Sequence, residues 1–307
     1  MSYRFKRQES VGKAVERIAL EQLDKAQEQA RAKAKLDDAI HDVRVSFKKL
    51  RGLIRLVRDE LGNHRYKRED TYYRDLNRQL SAVRDSAALI EILTKLQERF
   101  RDELSGDAFE ALRKLLARDK QGRQADKRKA LVEVRKKVIA ARQQVRKWKI
   151  KDDGFAAVGK GLRRSYTAAG KGFARACDKQ TVRAFHEWRK EVKYFWYHIE
   201  LLRELWPGQL KEFADQIKTL VDYLSDDHDL ALLRKRALAE SKKEPDVGHE
   251  YEALLALIDK RRAELQTQAA FLGRRIFAES PETFISRLKE YWRAWREEEK
   301  INPIAAT

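Results

Sequence analysis

The sequence predicts an all-α protein: two pseudo-symmetric helical bundles of about four helices each, facing one another across a basic central cavity. Three observations lead there. Gly and Pro are scarce, 13 and 4 in 307 residues. No Pro occurs before Pro207, so strong helix breakers are missing from the first two thirds of the chain. Residues of high helix propensity are abundant, and no stretch shows the strand-type alternation bounded by hairpin turns. Finally, three blocks of sequence recur in one order at an offset of about 145 residues, the mark of a duplication. The repeats are assigned to residues 1–150 and 151–307.

Taken in chain order, the first block is Val11-Gly12-Lys13 with Arg17, which returns as Val158-Gly159-Lys160 with Arg164. A long helix then follows, with Asp37 and Asp38 as its expected caps and Gly62-Asn63 as its stop. It opens with His41, Arg44 and Lys48, and the order returns as His186, Arg189 and Lys193. The third block, Leu80-Ser81 with Arg84-Asp85, returns as Leu224-Ser225 with His228-Asp229. Five of the 13 glycines fall between Asp152 and Gly172, which marks that stretch as the expected junction between the repeats. The second His helix is expected from Gln180-Thr181 to just before Trp206-Pro207-Gly208. Aromatics such as Phe195-Trp196 and Trp292 with Trp295 sit at helical spacing and read as core.

Net charge is +19, from 68 basic and 49 acidic residues, and 38% of the chain is charged. An excess of this size attracts polyanions: nucleic acid, an anionic membrane surface or another polyphosphorylated molecule. The 42% of hydrophobic residues is enough for a core, but no stretch approaches the roughly 20 apolar residues that span a bilayer. Residues 1–7 lack the apolar core of a signal peptide, and the single Cys177 cannot form an internal disulfide. The expected location is therefore the cytoplasm.

The arrangement of charge points to a site. Each helical residue advances about 100°. His41, Arg44, Lys48, Arg51, Arg55 and Arg58 then share one edge, without an acid on that edge, while Val43, Leu50, Leu53, Ile54, Val57 and Leu61 face the other way. Stacked like charges repel, and a bound polyanion would relieve them. A charged solvated face is the alternative, but such a face would not restore the His–Arg–Lys order in a second copy. Arg matches phosphate oxygens with a planar fork, and Lys adds a compact charge. His donates from both nitrogens when protonated, which predicts stronger binding at mildly acidic pH. Lys190 and the Tyr197 hydroxyl join the second row. Arg74, Arg78 and Arg84 share a face whose counterparts are Lys218, Asp222 and His228. Lys13, Arg17, Lys160 and Arg164 supply a third layer, with Arg163 and Lys171 nearby.

These residues resemble the CHAD family, the conserved histidine α-helical domain. Its repeated His-x-x-Arg-x-x-x-Lys/Arg helix corresponds to His41/Arg44/Lys48 and His186/Arg189/Lys193. The stretch from Tyr73-Arg74-Asp75 to Arg84-Asp85, the second-half Lys218 to Asp229, and Tyr197 also look like family positions. Trp196 departs from the pattern, standing where the family usually has Arg, and Ser225 stands where it often has Gly. The resemblance implies binding of inorganic polyphosphate in a basic cavity between two helical bundles, and association with polyphosphate granules. It implies a binding module without catalytic residues, metal or cofactor. Glu297 to Lys300 ends a helical pattern, unlike the strand motif of the triphosphatases to which family members are often fused.

Other readings stay open at the level of sequence. Binding to an RNA or DNA backbone has the same electrostatics, though no zinc-finger or RNP-type signature is present. A di-iron bundle needs paired Glu-x-x-His motifs, and here Asp38 and Arg183 precede the two histidines at that spacing. The Asp226-Asp227-His228-Asp229 cluster is expected to serve a turn or cap. A scaffold for a protein partner is a further possibility.

Overall fold

The computed structural model describes residues 3–81, 85–101, 107–122, 124–243 and 248–301. All regular structure among the described residues is helical, so the chain is all-α as expected. In order the helices are α1 (Val11–Gln29), α2 (Leu36–Leu56), α3 (Arg58–Leu61), α4 (Asn63–Ser81), α5 (Asp85–Arg99), α6 (Asp107–Gln121) and α7 (Gln124–Val145). They continue as α8 (Ala156–Lys179), α9 (Val182–Leu202), a 3₁₀ turn (Arg203–Leu205), α10 (Pro207–Ser241), α11 (Gly248–Ile276) and α12 (Pro281–Ile301). None of the described helices is long and apolar enough to cross a membrane.

The helix expected to run unbroken to Gly62 is two helices. α2 stops at Leu56, Val57 leaves helical geometry at φ −99° and ψ 26°, and α3 follows for one turn. Crowding at this point accompanies the break. A Cβ on Gly161 of α8 would lie 1.9 Å from the Leu56 carbonyl oxygen, so α8 crosses α2 in backbone contact. Gly62 does end the helix, at φ 75°, a conformation that glycine adopts without strain. Asp37 and Asp38 are not caps. They lie inside the first turn of α2 behind Lys35, where their charge favours the helix N-terminus. Asp37 also holds the ammonium of the buried Lys127 at 2.9 Å.

The glycine-rich stretch begins in the turn between α7 and α8, where Gly154 lies, and is helical beyond it. Gly159, Gly161, Gly170 and Gly172 lie within α8, and the turn between α7 and α8 comes before them. Tertiary contact overrides the helix cost of glycine here. Besides Gly161 on Leu56, a Cβ on Gly172 would be 3.1 Å from the Trp188 backbone of α9.

One apolar core runs through α1, α2, α4 and α7 and continues into α8, α9, α10 and α12. A second core joins α5 and α6 to α10 and α11. Phe195, Trp292 and Trp295 are buried in the first core, as their spacing predicts. The Asp226–Asp229 cluster lies within α10 and serves neither a turn nor a cap. Asp227 is buried and accepts from Arg262 Nε at 3.0 Å and Gln266 Nε2 at 2.8 Å.

The two His helices meet directly. An added Cβ on Gly52 of α2 would stand 3.0 Å from the Tyr197 Cβ of α9. These two positions stand at the offset of about 145 residues that also separates the recurring sequence blocks. The buried His198 pins the crossing. Its Nε2 lies 2.9 Å from the Gly52 carbonyl and its Nδ1 2.8 Å from Ser165 Oγ. Burial pushes its pKa down to about 3. The ring is therefore neutral, and Nε2–H donates to the carbonyl.

Candidate anion-binding site

N-terminal to this crossing, α2, α4 and α9 wall a cavity of about 280 Å³. α2 contributes Arg44, Lys48 and Arg51; α4 contributes Arg74, Asn77, Arg78 and Ser81. α9 contributes Arg189, Lys190, Lys193, Tyr194 and Tyr197. Eight of these twelve residues are Lys or Arg and none is acidic, so the cavity is built for an anion. The reason lies in the helix pattern. Ile40, Val43, Phe47, Leu50, Leu53 and Ile54 are buried in the core, which turns the opposite edge of α2 toward α4 and α9. On α9, Trp188, Val192, Phe195 and Ile199 do the same.

Lys48 and Lys193, 145 residues apart, each lie one turn from the crossing, and Arg44 and Arg189, at the same offset, two turns away. All four line the cavity. Crowding shows in their protonation. Burial, followed by the charges of Arg189, Lys218 and Arg44, pushes the Lys193 ammonium down to about 8; Asp222 opposes this. Asp222 is itself held by Lys218 at 2.5 Å. Burial also lowers the Arg189 pKa, against Asp229. The Arg189 Nε is buried and has no hydrogen-bond acceptor among the described residues. A buried cationic donor left unsatisfied is costly, and an anionic oxygen would satisfy it.

The histidines behave differently from expectation. His186 and His228 face each other, Nδ1 to Nδ1 at 3.1 Å, with ring centroids 4.5 Å apart. One nitrogen must carry the proton and the other accept it. Burial comes first in lowering both pKa values, and Arg189 adds to it; His228 falls to about 3. Both rings are harder to protonate than a free imidazole, which works against the expected affinity gain at mildly acidic pH. His41 is exposed at the start of α2, one turn before Arg44, and does not line the cavity.

The α2 edge is less bare than the helix alone suggests. Asp70 of α4 lies 3.0 Å from Arg51 Nε and 3.4 Å from Arg55 Nε. Both guanidinium groups also pack on the Tyr194 ring, at 5.6 and 4.1 Å from its centroid. Arg74 pairs with Asp75 at 3.1 Å and Lys190 with Glu187 at 2.6 Å. Lys218 lies 5.7 Å from the Trp196 centroid, so the Trp196 ring faces a neighbouring cation. Arg84 lies outside the described residues.

The third layer does not line the cavity. Arg17 is clamped by Glu9 at 2.6 Å and Glu21 at 3.1 Å, and donates to the Arg4 carbonyl. Arg163 pairs with Glu282, and Arg164 with Asp59 at 2.8 Å. Lys13, Lys160 and Lys171 are exposed. These arginines tie α1, α8 and α12 to their neighbours, a task that spacing alone does not reveal.

Sequence reasoning missed Asn77, Ser81 and Tyr194 as wall residues, and Asp70 beside the wall. The signal for Asp70 is present: extending the Arg74, Arg78 row back by one turn reaches it.

A sequence model described as CHAD domain matches residues 17–238, which takes in α2 through α9 and nearly all of α10. No curated protein matches the chain.

Proposed function

Because the chain belongs to the CHAD domain family, a family associated with polyphosphate binding, we propose that it binds inorganic polyphosphate in the cavity between α2, α4 and α9. The observation that carries the proposal is the cavity wall: eight cations from three helices and no carboxylate. A polymer with one charge per unit suits a row of donors, and the row continues from Arg189 to Lys193 and across to Arg44 and Lys48. Binding proceeds without chemistry on the polymer. In this reading the protein works in the cytoplasm and at the surface of polyphosphate granules.

The wall favours polyphosphate over a nucleic-acid backbone. Single-strand readers offer aromatic faces on which bases stack. Here the Tyr194 ring is occupied by Arg55, and Tyr197 is buried against Tyr3 and Trp196. Isothermal titration with polyphosphate of defined length, against single-stranded RNA of matched charge, tests the reading. Tighter binding of polyphosphate supports it; equal or tighter binding of RNA contradicts it.

A further inference from the structure

Lys193 differs from its neighbours Lys190 and Lys218, which carboxylates hold. It lines the cavity on the turn of α9 after Arg189, with Arg44 acting on it from α2. Lys190 is tied to Glu187 and Lys218 to Asp222. A phosphate group drawn to Arg44 and Arg189 would therefore bring whatever it is attached to up to the Lys193 amine. The cavity, about 280 Å³, has room for a small phosphate compound.

We propose that Lys193 is an acylation site, its amine taking acyl groups from small acyl phosphates that dock beside Arg44 and Arg189. The inference rests on reading the cavity as a phosphate site. The neutral Nζ attacks the acyl carbon with its lone pair. A C–N bond forms and the bond from the acyl carbon to the phosphate oxygen breaks. Hydrogenphosphate departs with one of the two amine protons, and a neutral amide remains. No oxidant or further reactant is needed. The arginines favour the step twice, by orienting the donor and by stabilising the leaving phosphate.

The amine must be neutral to attack. Burial and the charges of Arg189, Lys218 and Arg44 hold Lys193 near 8, against Asp222, while Arg74 and Arg78 face the same cavity from α4. In the free protein about half of it is then neutral at pH 8, where an ordinary lysine is less than about 1% neutral, and this is the fraction that an arriving donor meets. Acylation removes one cation from the wall, so it lowers affinity for polyphosphate. The modification thereby becomes a switch on the site.

The full chain incubated with acetyl phosphate between pH 7 and 10, with every lysine quantified by mass spectrometry, tests this directly. Lys193 is expected to acetylate at least about tenfold faster than exposed lysines such as Lys171, with a rate that levels off above about pH 8. Long-chain polyphosphate is expected to protect it. Reaction no faster than at Lys171, or a rate that keeps climbing past pH 9, overturns the proposal. Selective acetylation in a protein that binds no polyphosphate supports the acylation site and removes the polyphosphate reading. Tight polyphosphate binding without selective acetylation does the reverse. As a second variant, Lys193→Gln is expected to reduce the salt slope of polyphosphate binding by about 1, and an unchanged slope also overturns the switch.

Discussion

Replacing Lys193 with Met should stabilise the protein while weakening its binding. The side chain keeps its length and loses its charge. In the folded protein, burial and neighbouring cations lower the Lys193 pKa from 10.5 to about 8. One pKa unit corresponds to about 1.4 kcal/mol, so the charged amine costs about 3 kcal/mol at neutral pH, and somewhat less where the cavity admits water. The sign follows from proton counts. Between pH 8 and 10.5 the unfolded chain binds the proton and the folded chain does not, so wild-type stability rises with pH across that window. The penalty is complete below pH 8 and gone above 10.5. Urea unfolding at pH 7 should therefore show Lys193→Met more stable by about 2–3 kcal/mol. The gap should close toward pH 10.5. A variant that is less stable than wild type at pH 7 would show that the cations around Lys193 are compensated in the free protein, and the reasoning would fail.

Further outcomes follow from the same geometry. Polyphosphate should hold Lys193 protonated, so affinity should be flat from pH 6 to 7 and fall about tenfold per pH unit between 8 and 10, as measured by titration calorimetry. A rise from pH 7 to 6 would mean that histidines near the cavity, His41 or the His186–His228 pair, take up a proton on binding. Arg44→Ala and Arg189→Ala should each lose about 1.5–3 kcal/mol of binding, the worth of a charge-assisted hydrogen bond, with far-UV circular dichroism unchanged. Gly161→Ala places a methyl group against the Leu56 carbonyl and should cost more than about 3 kcal/mol, seen as a lower melting temperature; an unchanged melting temperature would mean that α8 does not touch α2 there.

Much of the fold follows from local pattern. The apolar stripe of α2 and the Thr181 cap of α9, whose Oγ accepts from the Ala184 amide, are where short-range rules put them. The stop of α2 short of Gly62 coincides with the contact of Gly161 on Leu56, and the helical run of glycines in α8 goes with that contact and with Gly172 on Trp188; these join distant segments, and local pattern carries no trace of them. The site divides the same way. Arg44, Lys48, Arg189 and Lys193 are legible because the duplication repeats them and the core face fixes their direction. The acids that restrain the third-layer arginines are not, since Glu9, Asp59 and Glu282 reach Arg17, Arg164 and Arg163 from other elements. The lowered basicity of the His186–His228 pair is hidden for the same reason: it arises from two rings 42 positions apart meeting beside Arg189.

A crystal structure of the protein with polyphosphate of defined length puts the account to its most direct test. The polymer is expected to run between α2 and α9, its oxygens within hydrogen-bond distance of Arg44, Lys48, Arg189 and Lys193. Polymer bound on the outer face of a single helix, with those four side chains left untouched, would contradict it.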